Sequence, residues 1–541
     1  MRHTLHRLLA LLLSALLCIA ALSGCTLPPQ TEQPMPDTPA EETPVGEEVP
    51  ATLADYPFTL PWYRNEGYNP YLTNNTLTLQ LADLLFEKLV TIAPDGALEY
   101  RIVRAAQVQG TTVTLHIRSD YRFADGRTVT AQDVAACINA ARSSQLYKGR
   151  FAHVKTAVAA EDGTVTIQLS EPDHLFVWLL DIPVMPAGET ALSTPCASGP
   201  YTYADDEDAL IPNPLSGTTA PFAHITLLEM TGADALANSL NIGTISLYSS
   251  EAEGRANGIN SSRQESYFTN TLVFLGFNSI AWRSWKTLDE TGAEIWHSEP
   301  TGSAPLLADA RGRQAVESLL DRALLLEKVY YNQGHVALGY LNSVGPEGSH
   351  GILSAGSDSG RTAALLGQLG YKLEMDGFYH LDDGSPDEKD RLTLRLLVYT
   401  GSSYKRYLAQ LIADSLTTAG IYVMVEECDS MENYRQKLTL LDFDMYIGEI
   451  KLYNNMDMSA FLREDGAANG GLTLSDGLLE SYALWRAGTT NAAQLENALA
   501  AEMPWAPLLW RSGTLYYAKA LEGFSPSASS VFYGIGSLRL A

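Results

Sequence analysis

The chain has 541 residues, of which 46% are hydrophobic and 18% are charged, so it can form two or three lobes and is not disordered throughout. Its net charge of −27 excludes nucleic acid as the expected partner, because phosphate binding requires a clustered basic surface. The acidity favours solubility outside the cell, with a preference for cationic ligands as the open alternative.

The N-terminus resembles a bacterial lipoprotein signal. Basic and histidine side chains precede an apolar run over residues 8–22, which is shorter than the ~20 residues that span a bilayer. The run closes with Leu-Ser-Gly-Cys at residues 22–25, similar to a lipobox. We expect residues 1–24 to be removed and Cys25 to carry acyl chains that anchor the protein in the lipid bilayer. An ordinary signal peptide with an incidental cysteine is the alternative.

Residues 26–55 predict a disordered tether. They include seven acidic residues, several prolines and no lysine or arginine, so they cannot bury enough apolar surface to fold. Residues 25–55 are therefore expected to link the lipid to the folded body. The anchor would hold that body on the outer face of the bacterial cell membrane, or in the periplasm if a second membrane is present.

A strand, a tight turn and a capped helix are predicted over residues 111–142. Apolar and polar residues alternate at 113–117, which is the pattern of a half-buried strand. An Asp-Gly pair at 125–126 permits a turn, and Thr130 with Asp133 resembles a capping box that opens an amphipathic helix.

This stretch carries a family resemblance. Residues 115–134 read Leu-x-Ile-Arg-x-x-Tyr-x-Phe-x-Asp-Gly-x-x-Val-Thr-Ala-x-Asp-Val, similar to the signature of the peptide-class solute-binding proteins that feed ABC importers. Residues 84–90 and 94–96 resemble the opening of the same family. The resemblance implies an α/β, two-lobed clamp of the periplasmic-binding-protein type with an extra small lobe, mixed and parallel sheets and hinge crossings. It also implies a monomer that meets ABC permease subunits with cytoplasmic ATPases.

We expect three lobes from the same resemblance. Lobe I would comprise residues 56–75, 186–272 and 511–541, the small extra lobe residues 76–185, and lobe II residues 273–510. A single long helix is expected at residues 311–331. Strands at 392–399, 421–427 and 443–449 alternate with helices at 404–419 and 431–440, which argues for a largely parallel sheet. Gly420 is expected to end the first of those helices.

The family resemblance also points to a ligand cleft. In relatives, an aspartate in a Trp-x-x-Asp-Tyr-Asn segment holds the ligand's amino group, and the matching residues 448–454 here are Gly-Glu-Ile-Lys-Leu-Tyr-Asn. Leu452 stands in place of that aspartate. Glu449 or Asp457 is the predicted substitute, and a salt bridge between Glu449 and Lys451 is the alternative.

Other cleft residues are predicted from their neighbours in sequence. Tyr453 and Asn278 lie beside segments that match the family, and an aromatic stretch that includes Tyr63 faces the cleft in relatives. Large rings favour binding sites, although each can equally pack in a core. The complete set of predicted aromatic cleft walls is Tyr63, Trp282, Tyr399, Tyr453 and Trp510.

The sequence gives little support to an enzyme. Residues 402–405 read Ser-Ser-Tyr-Lys, the S-x-x-K of serine β-lactamases, but neither Ser-Asp-Asn nor Lys-Thr-Gly occurs. A secreted serine hydrolase that uses Ser402 and Lys405 is therefore the alternative from another class, and helix capping is the simpler explanation. The histidines show no metal-binding spacing, so we expect no catalytic residues, no metal and no cofactor. An oligopeptide is the expected ligand, and a nickel chelate, haem or sugar are the alternatives.

Three cysteines remain in the mature chain, namely Cys137, Cys196 and Cys428. They are far apart in sequence and form no C-x-x-C motif, so at most one disulfide is expected. Cys137 lies on the apolar side of its predicted helix and is expected in the core.

Overall fold

A computed structural model describes residues 52–205, 208–230, 233–253, 259–300, 305–382 and 391–541. The predicted signal peptide, Cys25 and nearly all of the predicted tether lie outside these residues. Within them, no helix combines the length and apolar character needed to cross a bilayer.

The strands of the first half are β1 (Phe58–Trp62), β2 (Val90–Ile92), β3 (Leu98–Tyr100), β4 (Val103–Gln109), β5 (Thr112–Ile117), β6 (Val154–Ala159), β7 (Thr164–Leu169), β8 (Tyr201–Tyr203), β9 (Ala209–Pro212), β10 (Ile225–Glu229), β11 (Leu247–Ser250) and β12 (Ser262–Phe277). Those of the second half are β13 (Trp282–Leu288), β14 (Glu294–Pro300), β15 (Gly334–Val336), β16 (Tyr371–Leu373), β17 (Tyr379–Leu381), β18 (Thr393–Tyr399), β19 (Tyr422–Cys428), β20 (Met445–Lys451), β21 (Trp505–Ala518), β22 (Leu521–Glu522) and β23 (Arg539–Leu540).

The α-helices are α1 (Thr76–Leu85), α2 (Ala131–Ser143), α3 (Ala233–Asn241), α4 (Pro305–Ala308), α5 (Ala310–Glu317), α6 (Arg322–Tyr330), α7 (Ser359–Gln368), α8 (Ser403–Thr418), α9 (Met431–Leu440), α10 (Ser459–Leu462), α11 (Asp476–Arg486) and α12 (Ala492–Glu502). Short 3-10 turns occupy Leu53–Asp55, Arg64–Glu66, Phe176–Leu179, Ala187–Glu189 and Ile535–Ser537.

Two smaller sheets build the N-terminal part of the molecule. One has the order β1-β10-β9-β8, with β1 parallel to β10, and the other has the order β4-β5-β7-β6 with antiparallel neighbours. The predicted strand at 113–117 is β5. The predicted capping box is confirmed, because the Thr130 hydroxyl accepts from the Asp133 N–H and the Asp133 carboxylate accepts from the Thr130 N–H.

The largest sheet of the described residues has the order β11-β21-β12-β20-β18-β19, and β15 pairs with β21. Strand β18 runs parallel to both β19 and β20, which confirms the parallel arrangement of the three predicted strands. The prediction of a largely parallel sheet is wrong for the sheet as a whole, because β20, β12, β21, β11 and β15 pair antiparallel. Gly420 follows α8 with a φ of +98°, a conformation in which glycine ends a helix without strain.

The strands β12 and β21 cross between the two parts of the molecule. They pair antiparallel from Ser262 opposite Ala518 to Gly276 opposite Trp505, and the pairing breaks between Phe268 and Leu272. One large apolar core gathers buried side chains from residues 58–267 with others between 515 and 538, and a second gathers Leu175 with buried side chains between 272 and 510. The mixed α/β, two-lobed fold class is therefore confirmed.

The helix predicted at 311–331 is wrong in one respect, because the structure has two helices, α5 and α6. The Asp321 carboxylate accepts from the Leu324 N–H and begins the second helix. An N-cap residue has extended backbone, which the interior of one continuous helix does not allow. The apolar spacing is the same in both arrangements, so the sequence pattern did not reveal the break.

The three cysteines are free thiols. Cys137 is fully buried, as predicted, and accepts from the Met185 N–H at 3.3 Å. Burial raises the pKa of its thiol to about 12, so it is inert at neutral pH.

A buried ion pair fastens α6 to the crossing strand β21. Arg322 is 0% exposed and its Nη2 lies 2.8 Å from Oε1 of Glu317, which is 2% exposed. The same guanidinium donates to the Pro507 carbonyl at 2.7 Å and to the Ser354 carbonyl at 2.8 Å. Among the described carboxylates, only that of Glu317 lies within ion-pair distance of Arg322. Glu317 therefore compensates the charge of Arg322 by itself.

We predict that Glu317→Gln destabilises the protein by ~3–5 kcal/mol, because it leaves a buried guanidinium without its counter-charge. The measurement is chemical denaturation monitored by circular dichroism. Glu327→Gln is the matched control, since Glu327 pairs with Lys328 at the surface and the substitution should leave unfolding unchanged. Equal effects of the two substitutions would contradict the prediction.

Candidate functional site

A partly open cavity of about 1040 Å³ is lined by residues of both parts of the molecule. Its wall combines α1 and the chain around it, residues of the loop after α2, strand β11, the segment that follows β20, and residues 527–531 near the C-terminus. Five tyrosines contribute rings to this wall, namely Tyr63, Tyr147, Tyr248, Tyr267 and Tyr453. Their amphipathic rings suit a ligand that is partly apolar and partly polar.

Strand β11 presents an open edge at the cavity. It pairs with β21 on one side, and the described residues form no hydrogen-bonded ladder on its other side, where β1 lies only beside its start and the Ser246 N–H donates to the Thr59 carbonyl. Residues 248–251, from this strand and just beyond it, line the cavity. An open strand edge offers backbone donors and acceptors to an extended chain.

Two ion pairs lie buried in the wall. The Lys88 ammonium is 2.6 Å from the Asp83 carboxylate, and the Arg150 guanidinium contacts the Asp181 carboxylate. Ser529 joins the two pairs, because its carbonyl accepts from Lys88 and its hydroxyl donates to Asp181 at 3.2 Å. Burial lowers the pKa of Arg150 to about 10, which still leaves it charged at neutral pH.

The segment after β20 connects the two lobes at the cavity. The Leu452 N–H donates to the Asn270 carbonyl at 2.9 Å, and the Leu452 side chain lines the cavity with apolar surface. The Asn454 side chain donates to Asp181 at 3.2 Å. Next to it, Asn455 donates to the buried Asp173 at 2.7 Å, across the same boundary.

A chain of side-chain amides extends from the cavity to the break in the β12–β21 pairing. Asn342 donates to Asn270 at 2.8 Å, Asn270 donates to Asn454 at 3.0 Å, and Asn454 donates to Asp181. At the far end, His335 Nε2 donates to the side-chain Oδ1 of Asn342 at 2.9 Å. Each side-chain amide is oriented by its hydrogen bonds to its neighbours. This series of hydrogen bonds therefore links Asp181 to the break in the β12–β21 pairing, which we call the hinge.

Of the predicted site residues, Tyr63 and Tyr453 are brought together at the cavity. The Tyr453 hydroxyl lies close to Gly149, where an added Cβ would be 2.4 Å from its oxygen. The contact of these two rings with a ligand stays a prediction.

Glu449 lies outside the cavity wall. Its carboxylate is 2.8 Å from Nη1 of Arg511 and 3.2 Å from Nζ of Lys405. The alternative salt bridge with Lys451 is wrong, because Lys451 pairs with Glu251 at 2.6 Å. Glu449 thus belongs to a charged cluster beside the crossing strand β21.

Asp457 is also placed outside the wall. Its carboxylate accepts from the Ser459 N–H and from the Tyr482 hydroxyl, both at 2.8 Å, with Arg486 at 4.0 Å. Burial by itself raises the pKa of Asp457, but Arg486 and these hydrogen bonds outweigh it and lower the pKa. The residue stabilises the turn before α10.

Two further predicted residues are buried structural side chains. Asn278 donates to the carbonyls of Leu441 and Phe443 at 3.0 Å and is fully buried. Trp510, on β21, packs in the core of the second lobe. Matching the family by sequence could not distinguish these positions from the cavity wall.

The last two predicted aromatic residues also lie elsewhere. Tyr399 ends β18 with its ring 6.3 Å from that of Tyr434. Trp282 begins the hairpin of β13 and β14 and is 61% exposed. Neither contributes to the cavity wall.

The residues of the hydrolase alternative have ordinary structural partners. The Ser402 hydroxyl accepts from the Lys405 N–H, which makes Ser402 the N-cap of α8, and donates to Glu253. The Lys405 ammonium lies 3.2 Å from both Glu253 and Glu449. Ser402 is therefore a helix cap, and Lys405 belongs to an ion-pair cluster.

The sequence analysis missed the charged residues of the cavity. Asp83, Lys88, Arg150 and Asp181 are separated by up to 98 positions and follow no common pattern. Lys88 lies within the family-like stretch at 84–90, so the resemblance pointed near this site without identifying its charged residues.

The chain is similar to one protein family and to several solved structures. A family model for bacterial extracellular solute-binding proteins, family 5 (middle) matches residues 105–470. The chain is similar to the oligopeptide-binding protein AppA from Bacillus subtilis, solved with a nonapeptide (16% identity, TM-score 0.56, 90% of this chain and 99% of that one). It is also similar to a nickel ABC transporter protein from Bacillus halodurans (16%, 0.69, 88% and 98%) and to the murein tripeptide-binding protein MppA in an unliganded open form (18%, 0.67, 91% and 99%). No curated protein matches the chain.

The histidine at the end of the amide chain gives a pH prediction. Burial lowers the pKa of His335 below 6.5, while its hydrogen bond with Asn342 acts in the opposite direction. The folded protein binds a proton at His335 less readily than the unfolded chain does. The stability contributed by neutral His335 is therefore fully present above pH ~6.5 and is lost as the pH falls towards the folded pKa.

We therefore expect the melting temperature of His335→Gln to fall less than that of the wild type between about pH 7 and about pH 5. Glutamine keeps a donor for Asn342 and cannot take up a proton. His224→Gln, at an exposed position, is the control and should follow the wild type. Parallel pH curves for His335→Gln and the wild type would contradict the prediction.

Proposed function

Because the chain belongs to the bacterial extracellular solute-binding proteins of family 5, the binding components of ABC importers, we propose that its ligand is an extracellular oligopeptide that it delivers to a membrane permease. The observation that carries the peptide assignment is the open edge of β11 at the cavity wall. A peptide in extended conformation would pair its backbone with that edge.

The size and lining of the cavity support a peptide of a few residues. A volume of about 1040 Å³ is at the upper end of what small-molecule sites enclose. The tyrosine rings supply contact area for side chains, and backbone pairing gives affinity without reading the ligand's sequence. This combination favours a ligand class over a single compound.

The named relatives carry both ligand classes. AppA was solved with a nonapeptide and MppA is a murein tripeptide-binding protein, whereas the Bacillus halodurans relative is described as a nickel ABC transporter. Among the described residues, the cavity wall contains no histidine or cysteine, and no group of three metal-ligating side chains occurs. We therefore favour the peptide, and a nickel chelate, haem or sugar become outcomes of the test.

We further propose that the mature protein begins at Cys25 and is anchored through its acylated thiol. The lipobox-like residues 22–25 and the acidic segment behind them support this location. The protein would act as a monomer without catalysis. Its lobes would follow the predicted division at residues 76–185 and 273–510, and the two large cores are compatible with that division.

A thermal-shift screen of residues 26–541 tests the ligand class. Pooled di- to pentapeptides, nickel–histidine, haem and oligosaccharides are compared. A ligand at a hundred times its Kd should add ~2.7 kcal/mol, enough to raise the melting temperature by a few degrees. A shift with another class and none with peptides would overturn the peptide assignment and leave the family assignment intact.

N-methylated peptides test the open edge of β11. In a strand, alternate backbone N–H groups point to the same side, so methylating one alternate set should weaken binding at least tenfold and methylating the other set should not. The measurement is calorimetric titration with a peptide identified in the screen. Equal affinities for both methylated forms would exclude pairing with a strand edge.

We predict that Cys25→Ser abolishes membrane retention of the protein. Wild-type protein should be found in the membrane fraction and carry a lipid-modified N-terminus by mass spectrometry, since two acyl chains give stable anchoring. Cys18→Ser, within the apolar run, is the matched control and should leave anchoring intact. Membrane retention of Cys25→Ser would contradict the proposal.

A further inference from the structure

The charged side chains of the cavity wall occur as opposite pairs. Among the described residues that line the cavity, three are acidic and three are basic. Asp83 pairs with Lys88, Asp181 with Arg150, and Glu251 with Lys451. The wall of the described residues therefore has no net charge, although the whole chain carries −27.

The three pairs differ in depth. The Asp83–Lys88 and Asp181–Arg150 pairs are largely buried, whereas Glu251 and Lys451 are well exposed. Water and salt screen the exposed pair, so it contributes little to ligand preference. The two buried pairs, joined by Ser529, set the electrostatic character of the enclosed part.

Arg150 combines a compensated charge with an unused donor. Its Nη2 donates to the Leu179 carbonyl and contacts Asp181, while its buried Nε has no hydrogen-bond partner among the described residues. This N–H is closed off from the cavity, so Arg150 acts on a ligand through its charge and not through a free donor. Asp181 already neutralises the guanidinium, and the pair therefore presents no net charge to a ligand group.

A charged ligand group would be disfavoured in this environment. A carboxylate near Arg150 would also lie near Asp181, and an ammonium near Asp181 would also lie near Arg150. The attraction and the repulsion offset each other, but the loss of hydration of the ligand charge remains. Burying an amide or hydroxyl group costs less hydration free energy than burying a charged group. Hydrogen bonds to the cavity wall compensate that smaller cost.

We propose that the cavity selects ligands whose enclosed part has no net charge, and that Asp181 and Asp83 set this preference by compensating Arg150 and Lys88. The proposal rests on the proposed function and names the class of peptide that fits the same site: peptides with uncharged side chains.

The test compares three alanine-based peptides of the length that binds in the screen, each with one internal Gln, Glu or Lys. Calorimetric titration of the wild type should show the Gln peptide binding at least about tenfold more tightly than the other two. Equal or tighter binding of a charged peptide would overturn this inference alone. Failure of every peptide to bind would overturn the proposed function and this inference with it.

Charge-changing variants make the assignment specific. Asp181→Asn leaves Arg150 uncompensated and should shift the preference at least about tenfold towards the Glu peptide, and Arg150→Gln should shift it equally towards the Lys peptide. The double variant is again neutral and should return to the Gln peptide. An unchanged order of preference in both single variants would contradict the role of this pair.

Two further variants keep the test decisive if a single substitution prevents folding. Asp83→Asn acts on the second buried pair and should also favour the Glu peptide, while the Asp181→Asn, Arg150→Gln double variant contains no uncompensated charge. Glu327→Gln, in a surface pair that is not part of the cavity wall, is the charge-matched control and should keep the wild-type order. A shift in this control as large as that in Asp181→Asn would overturn the assignment to the cavity pairs.

Discussion

The antiparallel pairing of β12 with β21 is the constraint on which the rest of the structure depends. Both strands have one half in each of the two large cores, so the same ladder of backbone hydrogen bonds holds both lobes. The pairing breaks at residues 269–271, which are polar and buried. Thr269 compensates part of the lost pairing by donating to the Arg511 carbonyl at 2.6 Å. A local break in an otherwise continuous sheet is where bending requires the fewest broken contacts.

The cavity and this break are physically connected. The amide chain through Asn342, Asn270 and Asn454 ends on Asp181 at the cavity wall. Each amide is both donor and acceptor, so a change at one end leaves a buried polar group unpaired unless the others adjust. Asp181 at the cavity wall and the break in the β12–β21 pairing therefore share one network. Through Asn270, the buried polar stretch at the centre of β12 is part of this network.

Charge is distributed differently on the outside and in the cavity. The chain is strongly acidic overall, whereas the cavity wall pairs each described carboxylate with a cation. Surface acidity serves solubility and is screened by salt, whereas the largely buried ion pairs of the cavity wall are screened much less. The net charge of a binding protein is for this reason a poor guide to the charge of its ligand. The charge balance of the ion pairs at Asp83 and Asp181 is the relevant quantity.

Sequence alone determined the local elements, because their causes are local. The alternation at 113–117, the Thr130 and Asp133 capping box and the helix stop at Gly420 each depend on residues a few positions apart. The resemblance carried by these stretches also led to the correct fold class. Tertiary structure decided the site. Arg150 and Asp181 meet only because folding brings together segments that are distant in sequence, while Asn278 and Trp510, both predicted to line the cleft, became core residues. Side-chain burial depends on packing between elements, and no local pattern encodes it.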